Sequence, residues 1–345
     1  MTNIIEMDIK KAAIGAALLL TASACGAGSS EAGSSDITLN IYTGRHYDLE
    51  EAFDQFTEET GIQVEYLTGT DAELRERLET EGEDTKADIF MTVDAANLAL
   101  AAEEDIFQPL DSEILDEAIP SQYKDTENNW FGLSLRARTI VYNPDVLSPE
   151  EVPTSYAELA EPEWDGRLCL RQSTSTYTQS LIASLIANEG EERATEIAQG
   201  WADNAEILDK DSKVLDSIEQ GKCDVGITNH YYLARKLEED PDFGVELLWA
   251  GPENNGTHIN ISGAGVTRNS DHPEAAQQLL EYLATDGQNI FVDGNHEFPA
   301  NEDVPVVDLV EDSFGSDFKR DELNAQEFGD LNGEALTIMD KVGYR

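Results

Sequence analysis

Gly132-Leu133-Ser134-Leu135-Arg136-Ala137-Arg138-Thr139-Ile140-Val141-Tyr142 is one extended segment, longer than the strand-like runs that precede it. The chain on either side of it alternates strand and helix signals. Before it, residues 37–42 are β-rich, residues 48–60 place Leu49, Phe53 and Phe56 at helical spacing with Gly61 as the stop, and residues 62–66, 71–80 and 87–91 read strand, helix, strand. After it, a second α/β set runs from residue 144 to about 260. A further extended segment, residues 259–267, carries Ser262-Gly263-Ala264-Gly265, and helices rich in Ala and Leu follow. Such alternation implies a largely parallel sheet covered on both faces. Two α/β sets joined by two long segments predict an α/β clamshell of two lobes with two crossing strands at the hinge. The expected lobes are residues 37–136 plus about 266–304, and residues 137–265 plus about 305–345.

Composition narrows the function. The 345 residues include 71 acidic against 22 basic, a formal net charge of −49, with 40% hydrophobic residues. That length suits about two domains at ~100–200 residues each. Acidic and apolar residues are interspersed throughout, which argues against wholesale disorder. Nucleic acid is excluded as a partner because phosphate binding draws on Lys and Arg, and anionic lipid surfaces are disfavoured for the same reason. A carboxylate-lined cation store is one reading of the acidity. The other is a solvated, halophilic surface suited to high ionic strength, where a short Debye length mutes self-repulsion. The acidic runs at 50–51, 58–59, 103–105 and 191–192 fall among helix patterns with apolar faces, which favours the solvated surface.

The N-terminus reads as a targeting segment. Lys10-Lys11 precede an apolar stretch over 12–20, too short to span a bilayer, then Thr21-Ala22-Ser23-Ala24-Cys25. Residues 1–24 are the expected signal peptide and 25–36 a flexible tether. Small residues before Cys25 resemble a bacterial lipoprotein signal, which predicts lipidation of Cys25, although Ala22-Ser23-Ala24 also serves ordinary cleavage. Either way the expected location is the periplasmic or extracellular face of the cell membrane. Of the three cysteines, Cys169 and Cys223 then remain, each at the end of a strand-like segment. In an oxidising compartment they are expected to bridge.

Three places share one arrangement, a strand end, a polar turn and a helix start bearing tyrosine. They are Thr43-Gly44-Arg45-His46-Tyr47-Asp48, the run Arg171-Gln172-Ser173-Thr174-Ser175-Thr176-Tyr177-Thr178-Gln179-Ser180, and Thr228-Asn229-His230-Tyr231-Tyr232-Leu233-Ala234-Arg235. Ligands of open parallel sheets bind beyond the carboxyl ends of strands, where helix N-termini point unpaired N–H groups. With Asn229 as the N-cap, Tyr231 and Tyr232 fall in the first turn, splayed by ~100°. A phenol of pKa about 10 becomes a phenolate near neutral pH only beside a strong cation, and a hard trivalent ion such as ferric iron is the natural partner. Zinc would call for a His/Cys cluster and calcium for a glycine-turned carboxylate loop, and neither is present. A lone tyrosine at a helix start is more often a half-buried aromatic, by about five to one, and a lone His46 is more often a surface or capping residue. Three equivalent loops in a chain of eleven tyrosines shift those odds.

Arg45-His46-Tyr47 after the first strand, the Ser/Thr-rich run into Tyr177-Thr178-Gln179-Ser180-Leu181, and Asn229-His230-Tyr231-Tyr232-Leu233-Ala234-Arg235 resemble the bacterial ferric-ion-binding proteins that feed iron ABC importers. The likeness is greatest to their tyrosine-rich branch. It extends over the expected mature chain, including Ala87-Asp88-Ile89-Phe90, Arg136-Ala137-Arg138 and Gly294-Asn295-His296-Glu297-Phe298-Pro299-Ala300. The resemblance implies a type II periplasmic-binding-protein clamshell, monomeric and without catalytic activity. It implies Fe³⁺ as transported ligand on Tyr47, Tyr177, Tyr231 and Tyr232, with His46 a candidate fifth ligand, and a membrane ABC permease as partner. Another branch uses a carboxylate and an exogenous anion; here Met91-Thr92-Val93-Asp94-Ala95 has Val93 where that carboxylate is expected. Whether Asp94 reaches the site, and whether an anion such as carbonate completes the shell, stays open. Four phenolates on Fe³⁺ leave one negative charge, which Arg136 or Arg138 on the first crossing segment is placed to offset. The same clamshell for an anion, a polyamine or a thiamine-like ligand is the alternative. An extracellular metal-dependent hydrolase is disfavoured, since neither Gly-x-Ser-x-Gly nor His-Glu-x-x-His occurs.

Overall fold

The computed structural model describes residues 37–45, 49–251 and 253–345. The expected signal peptide, Cys25, the tether, His46 and Tyr47 lie outside the described residues. In the first half of the fold, strand β1 (Thr38–Thr43) pairs in parallel with β2 (Gln63–Thr68) and with β3 (Ile89–Thr92). The helix Glu50–Thr60 buries Ala52, Phe53 and Phe56 on that sheet and ends at Gly61, whose φ of 76° favours glycine. A reciprocal Thr70/Glu73 capping box starts the helix Asp71–Glu81.

The remaining strands are β4 (Phe131–Tyr142), β5 (Leu168–Arg171), β6 (Ala205–Leu208), β7 (Val225–Asn229), β8 (Glu246–Leu248), β9 (His258–Val266) and β10 (Phe298–Pro299). The sheet order is β2-β1-β3-β9-β4-β7-β5-β6, with β8 and β10 added onto β4. β9 runs antiparallel to β3 and to β4, while β5 is parallel to both β6 and β7. β4 pairs with β9 through Phe131–Arg138 and, along its other edge, with β7 from Arg138 to Tyr142. One strand thereby passes from the first α/β half into the second, and β9 runs back beside it. These are the two crossing strands of a two-lobe clamshell. Their contact is tight: a Cβ on Gly263 would lie 2.6 Å from the Phe131 carbonyl oxygen, so that position requires glycine.

β4 is buried along its whole length. Side chains alternate across a strand, so Ser134, Arg136 and Arg138 share one face, and their β9 partners Ser262, Asn260 and His258 share it too. This polar face forms the floor on which the site is built. Among the described residues no helix is long and apolar enough to cross a membrane.

Cys169 and Cys223 form a disulfide with a Cα–Cα distance of 5.8 Å, set in a small core of Val141, Val214, Leu215, Ile218 and Leu233. The bridge closes a loop of 54 residues in the unfolded chain. Its removal by the double Cys169→Ser, Cys223→Ser substitution is expected to cost about 2–4 kcal/mol in a urea melt. A double variant as stable as the parent would show that the bridge adds nothing to the core around it.

Candidate metal centre

Tyr177 is the second residue of the helix Thr176–Glu189; Tyr231 and Tyr232 are second and third in the helix His230–Glu239. The Tyr231 hydroxyl donates to the Tyr177 hydroxyl at 3.3 Å, across 54 residues of sequence. Tyr231 and Tyr232 do not splay apart; their ring centroids are 4.3 Å apart, with the planes tilted by 33°. Tyr231 is buried, and Tyr177 and Tyr232 are half-buried, so the cluster is reachable from one side. Asn229 holds the N-cap position with an extended backbone, yet its side chain makes no capping hydrogen bond. Its amide oxygen accepts instead from Arg138 Nη1 at 3.2 Å. Both tyrosine-bearing helices begin without a side-chain cap, and each turns a positive N-terminal end toward its own tyrosines.

The guanidinium groups sort by position on β4. Arg136 lies over the Tyr177 ring, 5.1 Å from its centroid, and Arg171 from the end of β5 lies at 5.1 Å from the same ring. Arg136 is buried and donates from Nη2 to the Ile261 carbonyl at 2.5 Å. Burial alone disfavours its charge, but the carboxylates of Glu297 and Asp94 near it help keep it protonated. Arg138, one pleat further on, is committed to Asp211 at 2.7 Å. Arg235, four residues beyond Tyr231 on the same helix face, lies 5.6 Å from the Tyr231 ring centroid.

Burial pushes all three phenols above their ordinary pKa, with Arg136 and Arg171 pulling Tyr177 back toward the anion. Without a metal they are neutral at pH 7. A trivalent cation held by these oxygens would supply the charge that turns them into phenolates and expels their protons. His230, between Asn229 and Tyr231, is not available as a ligand. Burial lowers its pKa to about 4, its Nδ1 accepts from the Ala137 amide at 3.2 Å, and its Nε2 lies 3.0 Å from the His296 carbonyl. Asp94 is likewise occupied, accepting from Asn97 N at 3.2 Å as the cap of the helix Ala95–Glu103 and from Asn260 Nδ2 at 2.8 Å. Among the described residues the one His/Cys/Asp/Glu group compact enough for a metal is Cys169, Glu206 and Cys223, whose sulfurs are already bonded.

Arg171 and Arg235 stand inside two of the quoted loops but had no role in the sequence reading. The i, i+4 spacing of Tyr231 and Arg235 was a usable signal; the approach of Arg171 to Tyr177 depends on a loop turn that no spacing encodes. A cavity of about 510 Å³ opens beside Tyr232 and is lined by Arg171, Lys210, Arg235 and Lys236 together with Ser212 and Glu239. Four cations around one opening are notable in a chain with 22 basic residues.

The chain belongs to the bacterial extracellular solute-binding protein family, whose profile matches residues 84–322. Among its relatives, iron uptake protein A1 of Synechocystis sp. is 38% identical over 317 residues, covering 89% of this chain and 87% of that protein. The Fe(3+)-binding periplasmic protein of Serratia marcescens is 30% identical, covering 84% and 86%. A solved structure of Trichodesmium IdiA (FutA) in complex with iron and citrate ligands superposes with a TM-score of 0.84 at 39% identity, covering 89% of this chain and all of that one.

Proposed function

We propose that this chain captures ferric iron on tyrosine phenolates and delivers it to an ABC permease as a lipid-anchored, monomeric receptor without catalytic activity. The observation that carries this reading is the meeting of Tyr177, Tyr231 and Tyr232 under two guanidinium groups. Phenolate oxygens are hard ligands, and Arg136 and Arg171 are placed to offset the surplus negative charge that phenolates leave on Fe³⁺. Tyr47, with His46 as the candidate fifth ligand, joins them from the 37–136 lobe when it closes on the 137–265 lobe. The relatives that bind ferric iron and work in the periplasm support this reading, as does the lipoprotein-like Cys25. The acidic surface suits a salty medium outside the cell.

An exogenous anion, carbonate or a small carboxylate, joins the metal. Two features favour it: the cationic cavity beside Tyr232, and Ser175 Oγ, buried at the start of the Tyr177 helix with no hydrogen-bond partner. The same cations give the cavity the wrong charge for a polyamine. Titrating the purified protein with ferric citrate tests the proposal. An orange-red phenolate-to-iron charge-transfer band with one iron per chain is the expected result; protein that stays colourless and metal-free in excess ferric citrate would overturn it.

A further inference from the structure

The segment from Asn295 to Glu297 contributes no metal ligand, yet it bonds both Arg45 just past the end of β1 and the helix that bears Tyr231 and Tyr232. Glu297, 1% exposed, accepts from Arg45 Nη1 at 2.6 Å and from the Ser134 hydroxyl. Arg45 is itself fully buried, stacked 3.9 Å over the Phe291 ring, with Nη2 donating to the Phe291 carbonyl at 2.5 Å. The chain runs from Arg45 directly into His46 and Tyr47. The other Glu297 oxygen accepts from Asn295 Nδ2, and Asn295 Oδ1 accepts from Arg235, which stands one helical turn past Tyr231. His296 adds two further ties to the same helix. Its carbonyl meets His230, and its imidazole lies 3.0 Å from Glu238. It does so with φ of 53°, a left-handed backbone rarely adopted by a non-glycine residue.

We propose that Glu297 is a positioning residue for metal capture. It fixes Arg45, the residue that precedes His46 and Tyr47 in sequence, and through Asn295 and Arg235 it ties Arg45 to the helix bearing Tyr231 and Tyr232. A buried ion pair is weak evidence for stability alone, because desolvation offsets most of its Coulombic gain. Its best-attested use is to fix one arrangement among several, and here the arrangement fixed is that of two ligand-bearing elements. The Glu297 carboxylate also feels the charge of Arg136, the cation over Tyr177, besides that of its partner Arg45.

The inference rests on the ferric reading, and its test separates the two. Glu297→Gln and Asn295→Ala are loaded with ferric citrate beside the parent, and iron removal by excess chelator is followed at the charge-transfer band. Both variants keep Tyr177, Tyr231 and Tyr232 and are expected to remain coloured, but to lose iron faster and bind it about 10- to 100-fold more weakly, Glu297→Gln more than Asn295→Ala. A merely structural role would lower the melting temperature of the iron-free protein and leave the release rate unchanged. Variants with the parent's release rate overturn the proposal. Should Glu297→Gln fail to fold, Asn295→Ala, which leaves the ion pair intact, decides it alone. A parent protein that develops no band overturns the ferric reading, and this proposal with it.

Discussion

Replacing Tyr231 and Tyr232 together by Phe weakens ferric iron binding by at least about 10³-fold and abolishes most of the charge-transfer colour. The magnitude follows from a lower bound. Removing a group that only supports a metal ligand commonly costs 10–100-fold, and under the proposed ligation each of these two substitutions removes a ligand itself. The fold should be spared, because the phenyl rings keep their mutual packing and the hydrogen bonds lost are those among the three tyrosine hydroxyls themselves. Thermal unfolding of the iron-free variant should fall within about 1 kcal/mol of the parent. Competition against citrate gives the affinity, and the visible spectrum reports the ligands. Unchanged affinity in the double variant would remove these tyrosines from the site and the phenolate reading with them.

Local patterns made most of this architecture readable. Phe53 and Phe56 at helical spacing with Gly61 behind them, the β-rich run at 37–42, and the long segment over Gly132–Tyr142 each carry their own signal, because helix and strand periods are properties of neighbouring residues. The tyrosines were legible for the same reason, as each follows a strand end by a few residues. What stayed hidden was pairing at a distance. Arg136 and Arg138 are equivalent in sequence, yet one faces Tyr177 and the other is claimed by Asp211, 73 residues away. Asn229 reads as a cap, but Arg138 takes its side chain. Nothing near Glu297 in sequence announces that its partner is Arg45, 252 residues earlier. The acidity misleads in the other direction. Three of its buried members, Asp94, Asp211 and Glu297, serve a helix cap and guanidinium groups instead of the tyrosine cluster.

The pairing of Asp211 yields the largest effect expected on stability. Its carboxylate is fully buried at the start of the helix Asp211–Glu219, with Oδ1 on Arg138 Nη1 at 2.7 Å and Oδ2 on Arg171 Nη1. Arg138 goes on to Asn229 and Arg171 to the Tyr177 ring, so Asp211 stands between the two tyrosine-bearing elements of the second half. Burial by itself would raise its pKa, but Arg138 and Arg171 outweigh that and hold it below the usual carboxylate range. A depressed folded pKa means that the stabilisation is fully present above the unfolded value of about 3.9 and is lost as pH falls through the folded one. Asp211→Asn leaves two guanidinium groups short of their counter-charge and is expected to cost about 3–5 kcal/mol at pH 7. The deficit relative to the parent should shrink below about pH 4, where Asp211 of the unfolded parent begins to protonate, and should vanish only once the folded carboxylate also titrates. Urea melts of the iron-free proteins at pH 7 and across the acid range measure both quantities. A variant within about 0.5 kcal/mol of the parent at pH 7 would mean that Asp211 adds little net stability. A deficit that persists undiminished far into acid would mean that its charge is not what the two arginines require.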